Sequence, residues 1–81
     1  MAKVKTQVFV RLKPGVLDVQ GKAIEHGIAG VGVEGVSNIR VGRLVEFDVE
    51  AKDASAANEL TKKLCEDLLA NTIIENYEIK Q

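Results

Sequence analysis

Few side chains in this 81-residue sequence are equipped for chemistry. His26 is its one histidine and Cys65 its one cysteine. Catalysis needs a nucleophile, base or metal held by a second group. His26 projects opposite the Ile24/Ile28 stripe of a predicted helix, so it reads as a solvated histidine. Cys65 flanks the Leu64/Leu68 stripe of a second predicted helix, beside Lys62 and Glu66, and reads as a half-buried structural thiol. A single cysteine excludes an intrachain disulfide and a four-cysteine metal site. Gly27, Gly30, Gly32 and Gly35 share the composition of a phosphate loop, but they follow a helix rather than a strand and lack a Gly-Lys-Ser/Thr. Asp18 is a better helix cap than general base. Lys13-Pro14-Gly15, beside that helix start, could hold an anion on free N–H groups, although Asp18 opposes it. No catalytic residue, metal ligand or bound cofactor is therefore expected of this chain by itself.

The elements that would position these residues are organised around Lys3 to Lys13. Val4, Thr6, Val8, Val10 and Leu12 alternate with Lys3, Lys5, Gln7, Phe9, Arg11 and Lys13. Period-two alternation over this length predicts a central strand with a core side and a largely cationic side. Pro14-Gly15 then turns the chain. Asp18 caps a helix from Val19, with Ile24, Ile28 and Val31 on one face. Val36 to Val41 and Leu44 to Glu50 read as two strands. A three-residue loop, Gly42 to Leu44, pairs Val41 with Val45 and Ile39 with Phe47 and keeps the inward faces together. Asp53 caps a second helix with a stripe of Ala57, Leu60, Thr61, Leu64 and Leu68. Asn71 is read as its left-handed stop, and Ile73 to Lys80 as the last strand.

The order β-α-β-β-α-β predicts one α+β domain over residues 1–81. It is a two-layer, ferredoxin-like sandwich with two helices on one side of a four-stranded antiparallel sheet. In that topology the cationic side of the first strand meets Glu46, Asp48 and Glu50 of the third. The same side carries Phe9, Leu44 and Ile74, an apolar island with no helix to cover it and hence an association surface.

Composition narrows the function further. Eleven basic against twelve acidic residues argue against phosphate neutralisation. Three aromatics (Phe9, Phe47, Tyr77) and no Trp disfavour base stacking, so no nucleic-acid partner is expected. No apolar run approaches the length of a signal peptide or a membrane span, which fits a cytoplasmic protein. A chain this short has a thin core. With the island, that predicts a homodimer or a dimer of dimers.

Three segments carry a family resemblance: Val16-Leu17-Asp18-Val19-Gln20-Gly21, Ile39-Arg40-Val41-Gly42-Arg43, and the run from Cys65 to Tyr77, CEDLLANTIIENY. In this order they resemble the signature segments of the PurS family, the small subunit of formylglycinamide ribonucleotide amidotransferase (phosphoribosylformylglycinamidine synthase). Val19 stands where the family usually has proline after the Asp, and Arg43 where the hairpin usually has lysine. The resemblance implies a subunit with no catalytic group of its own. It would bridge a glutaminase subunit and a large ATP-dependent synthetase in purine synthesis and help ammonia pass between them. ATP or ADP, magnesium and glutamine would belong to the assembled complex. Carried over by position, Asp18, Gln20, Gly21, Arg40, Gly42, Arg43, Asn71 and Tyr77 join Phe9 as subunit-contact candidates. The fold alone also admits a small-molecule regulatory domain, an RNA-recognition module or an acylphosphatase-like enzyme.

Overall fold

Alternation builds the sheet as the sequence predicts. In the computed structural model, which describes residues 2–81, strand β1 (Ala2–Leu12) lies between β2 (Gly42–Ala51) and β3 (Glu75–Lys80). Both neighbours run antiparallel to it. Thr6, Val8 and Val10 of β1 are buried on one face. Val8 pairs with Val45 and Ile79, and Val10 has Tyr77 beside it, so these side chains form one layer of the core. On the opposite face Lys3 pairs with Glu50, Lys5 with Asp48 and Gln7 with Glu46, the charge match expected between these strands.

Helix α2 (Ala54–Leu64) supplies the second layer and lies against β2 and β3. Asp53 caps it, its carboxylate accepting from the Ala56 N–H at 2.8 Å. The buried line is Ala57, Thr61 and Cys65, spaced by four. Leu60 and Leu68, expected in the buried stripe, are exposed. The sheet has three strands, and small side chains suffice to reach it. A π turn, Cys65–Leu69, closes the helix, with the Ala70 N–H donating to the Cys65 carbonyl at 3.1 Å. Asn71 is not a left-handed stop, because Ala70 already returns to extended backbone. Asn71 instead nucleates the turn before β3: its Oδ1 accepts from the Ile73 N–H, and its carbonyl accepts from Ile74 and Glu75. The last strand therefore starts at Glu75, two residues later than expected.

Two differences shape the molecule. Residues 36–41, expected as a strand hairpinned to the next, join no ladder. Carboxylates take their N–H groups instead: Glu25 accepts from Ile39 at 2.8 Å and Asp18 from Val41 at 2.6 Å. Asn38, at φ 56°, turns the backbone out of strand geometry. The expected Val41–Val45 and Ile39–Phe47 pairs are absent, and β2 opens at Gly42 opposite Arg11 of β1.

The second difference is helix α1 (Val19–Ile28), continued by a 3₁₀ turn at Ala29–Val31 and ended by Gly32 at φ 74°. It makes no substantial contact with any strand, so it is not a second helix over the sheet. With the returning residues 33–41 it forms an arm. Every residue from Ala29 to Asn38 is exposed, and so are Leu17, Val19 and Ile24. The radius of gyration, 16.4 Å, exceeds the about 12 Å of a compact chain this long. The accessible surface, 5907 Å², exceeds the about 4,800 Å² of a compact monomer of this mass.

Candidate functional site

The nine contact candidates gather at the end of the sheet from which the arm departs. Asp18 is the organising residue. One of its oxygens accepts from the Gly21 N–H at 2.8 Å, as an N-cap should, and the other accepts from Val41. Those bonds, Val41 first, hold its carboxyl below the usual carboxylate range despite the burial that opposes them. Glu25, two turns along the helix, is held low by the Ile39 N–H. Arg40 lies between the two clasped N–H groups in sequence. Its guanidinium donates to the carbonyls of Val16 and Lys13, at 3.0 and 3.2 Å, and ties the connector to the turn after β1.

Two glycines are required by these approaches. A Cβ on Gly21 would collide with the Ile39 carbonyl oxygen and stand 2.8 Å from the Asp18 carboxylate. A Cβ on Gly42 would lie 2.5 Å from the Val10 carbonyl oxygen. Structural need thus accounts for both. Gln20 is exposed on the first turn of α1. It lines a hollow of about 230 Å³ with Asp18, Gly42, Arg43 and Glu75.

Arg43 and Glu75 close the other side. The guanidinium meets both carboxylate oxygens, at 2.7 and 3.1 Å, and also donates to the Leu69 carbonyl. Glu75 accepts from the Asn71 N–H at 2.7 Å as well. The Arg43 guanidinium holds Glu75 below the usual range, and Glu75 raises Arg43 in return. Tyr77 lines a small hollow with Glu66, Glu75 and Lys13, and Glu66 raises its phenol. Cys65 is fully buried rather than half-buried, and burial pushes its thiol up, away from reactivity.

Phe9 is half-buried on the far sheet face, opposite Leu44, with Arg11 and Lys80 over its ring at 5.5 and 5.8 Å. From it an open groove of about 720 Å³ runs around the sheet end. Phe9, Leu12, Val41 and Leu44 supply apolar surface, and Arg11, Arg40 and Arg43 supply charge; no carboxylate lines it. Lys13, Pro14 and Gly15 serve the turn, and the Lys13 carbonyl accepts from Val16.

Sequence reasoning missed Glu25 and Glu75. Glu75 carried a signal: it shares the inward face of the last strand with Tyr77 and Ile79, where a carboxylate needs a cation. Glu25 sits on the polar helix face and carried none. Among the described residues no group of three or more His, Cys, Asp or Glu side chains is placed to hold a metal ion. No helix there is long and apolar enough to cross a membrane.

A small antiparallel sheet, one covering helix and a protruding apolar arm define an α+β association module. Residues 5–81 match the family model for PurS, phosphoribosylformylglycinamidine (FGAM) synthase. The PurS subunit of the synthase from Synechocystis is 42% identical over 71 residues, 88% of this chain and 71% of that protein. Its counterpart from Bacillus subtilis is 41% identical over 90% of this chain and 86% of that one. Among solved structures, a chain of PurLQS from Thermotoga maritima superposes with a TM-score of 0.92 at 33% identity, covering 99% of this chain and 98% of that one. The chain belongs to the PurS family and is a subunit of FGAM synthase, a ligase of purine biosynthesis.

Proposed function

We propose that this chain, acting as a single domain over residues 1–81, is the bridging subunit of FGAM synthase. It links the glutaminase to the ATP-dependent synthetase and helps ammonia pass between them, contributing no catalytic group. The observation that carries the reading is the near-complete superposition on a chain of the Thermotoga PurLQS structure. ATP or ADP, magnesium and glutamine act on the larger subunits, and the assembly works in the cytoplasm. The arm and the Phe9 groove support a homodimer, or a dimer of such dimers, as the working unit. The chain exposes about 1,100 Å² more than a compact monomer of its mass, and a standard interface takes about 800 Å² from each partner. Asp18, Gln20, Gly21, Arg40, Gly42, Arg43, Asn71 and Tyr77 form or frame the surface offered to other subunits, and Phe9 the surface offered to a second copy.

Reconstitution tests this. The chain is mixed with the glutaminase and synthetase in the presence of ADP, magnesium and glutamine, and complex mass is measured; a parallel assay with ATP and substrate reads glutamine-dependent product. Omitting the chain should abolish the complex and most of the product. If both persist unchanged, the bridging role is wrong. Phe9→Asp should shift the free chain toward monomer, and an unchanged mass removes Phe9 from self-association.

A further inference from the structure

Arg40 is fixed in place without being neutralised. One terminal nitrogen donates to the Val16 carbonyl at 3.0 Å and the other to the Lys13 carbonyl at 3.2 Å. Both acceptors belong to one turn, closed by the Val16 N–H on the Lys13 carbonyl at 3.1 Å. The backbone therefore sets the plane of the guanidinium. Carbonyls orient it but cancel none of its charge. Arg40 makes no ion pair among the described residues. Asp18, at the nearby helix cap, spends its two oxygens on the Gly21 and Val41 N–H groups. The turn at Lys13-Pro14-Gly15, read from the sequence as able to hold an anion on free N–H groups, instead lends carbonyls that aim an arginine.

The groove that Arg40 lines has room for a ligand and a second cation to hold it. Its volume, about 720 Å³, falls within the about 300–1,000 Å³ of small-molecule sites. Most of its wall is apolar, and every charged side chain on it is an arginine. Arg43 is spent on the two carboxylate oxygens of Glu75. Arg11 meets Glu78 at only 3.4 Å and is mostly exposed. Arg11 and Arg40 thus line one groove with N–H groups to spare. A phosphate dianion matches both their charge and their forked geometry. The strand register sets the other end. Phe9 stands opposite Leu44, and Arg11 opposite Gly42, two residues or about 7 Å further along β1. A phosphate at the arginines and an apolar ring on Phe9 and Leu44 are therefore about one sugar apart.

We infer that this groove is a binding site for a nucleoside monophosphate, with the phosphate on Arg40 and Arg11 and the base against Phe9 and Leu44. The Arg40 fork is ordered before the ligand arrives, so binding does not have to immobilise it. The site gives the chain a ligand of its own and does not depend on the bridging role proposed above.

Titration of the purified chain, in the oligomeric state it holds in solution, tests this. AMP, ribose 5-phosphate, adenosine and inorganic phosphate are compared at low ionic strength by calorimetry and amide chemical shifts. AMP should bind once per chain and more tightly than ribose 5-phosphate, adenosine or inorganic phosphate. Arg40→Gln and Arg11→Gln should each weaken AMP by about tenfold. Leu44→Ala should weaken AMP and leave ribose 5-phosphate unchanged. Arg40 also holds the turn, so thermal melts accompany each variant; if Arg40→Gln fails to fold, Arg11→Gln, on the exposed strand face, decides the point. Phe9 belongs to the proposed self-association surface as well, and a groove closed by a second copy would show no saturable binding and overturn the inference. Unchanged AMP affinity in the arginine variants overturns it too. Equal affinity for AMP and inorganic phosphate removes the base subsite and with it the nucleotide assignment. A glutamate-rich peptide that binds where AMP does not, and weakens in Arg11→Gln, would make the groove a peptide-docking surface instead.

Discussion

Replacing Gly21 by alanine sets two effects of known sign against each other. Gly21 is the third residue of α1, so helix propensity alone favours alanine by about 1 kcal/mol. The structure opposes it. The new methyl would collide with the Ile39 carbonyl and sit 2.8 Å and 3.0 Å from the Asp18 Oδ2 and Cγ atoms. Neither neighbour can yield cheaply. The Ile39 backbone is fastened by Glu25 and the next attachment, Val41, by Asp18 itself. Making room means lifting the connector from the helix and breaking those bonds. Overpacking at a fixed backbone costs about 1–3 kcal/mol, and at the upper half of that range it outweighs the propensity gain. A net loss of about 1–2 kcal/mol should lower Tm by about 4–8 °C per kcal/mol for a chain of this size. Urea and thermal melts of wild type and variant at one fixed protein concentration give the comparison, since association would otherwise move the midpoint. A variant stabilised by about 1 kcal/mol would refute the reasoning, because it would mean that the connector does not press on α1.

Other consequences of the structure are as direct. Asp18, Glu25 and Glu75 are all held below their ordinary values in the folded chain. Their contribution is therefore full above the unfolded values near pH 4 and is lost as pH falls through the lower folded ones. Stability should be flat from about pH 6 to 8 and drop below about pH 4.5; Asp18→Asn should flatten that acid limb, as followed by urea midpoints against pH. A double-mutant cycle on Arg43 and Glu75 should return about 0.5–1 kcal/mol of coupling, because Arg43 remains half-exposed and solvent screens the pair. Arg43→Lys, which keeps charge but not the two-pronged contact, should lose most of that coupling. Val8→Ala, at the centre of the buried face, should cost about 2 kcal/mol in the same melts. Cys65 should react with a thiol reagent only at the rate of unfolding; fast modification of the folded chain would contradict its burial.

Much of this was legible in the sequence, and the parts that were not share a cause. The matching of faces between β1 and β2 followed from alternation, which sets Lys3, Lys5 and Gln7 on the side of Glu46, Asp48 and Glu50 and keeps Val4, Thr6 and Val8 on the other; the structure adds the register, Lys3 to Glu50, Lys5 to Asp48 and Gln7 to Glu46. Asp18 and Asp53 announced both helix starts, since a cap is a local bond. The misreading of residues 36–41 was different in kind. Ile39 and Val41 alternate as a strand does, but a strand exists only where a neighbour accepts its N–H groups. Here those acceptors are Asp18 and Glu25, 23 and 14 residues away, one capping a helix and the other on it. The same carboxylates hold α1 to the connector instead of to the sheet, and so turn an expected covering helix into an arm. Ile24, Ile28 and Val31 show that one face of that helix is to be covered. Nothing in a single chain's pattern says whose atoms cover it. Arg43 makes the same point at the other end of the connector. As a hairpin turn residue it had no partner to seek, but as the second residue of β2, opposite Val10, it lies on the inward face and meets Glu75. Both errors come from one premise, that Val36–Val41 pairs with its neighbour in sequence. Removing that premise yields the three-stranded sheet, the arm and the paired sheet end together.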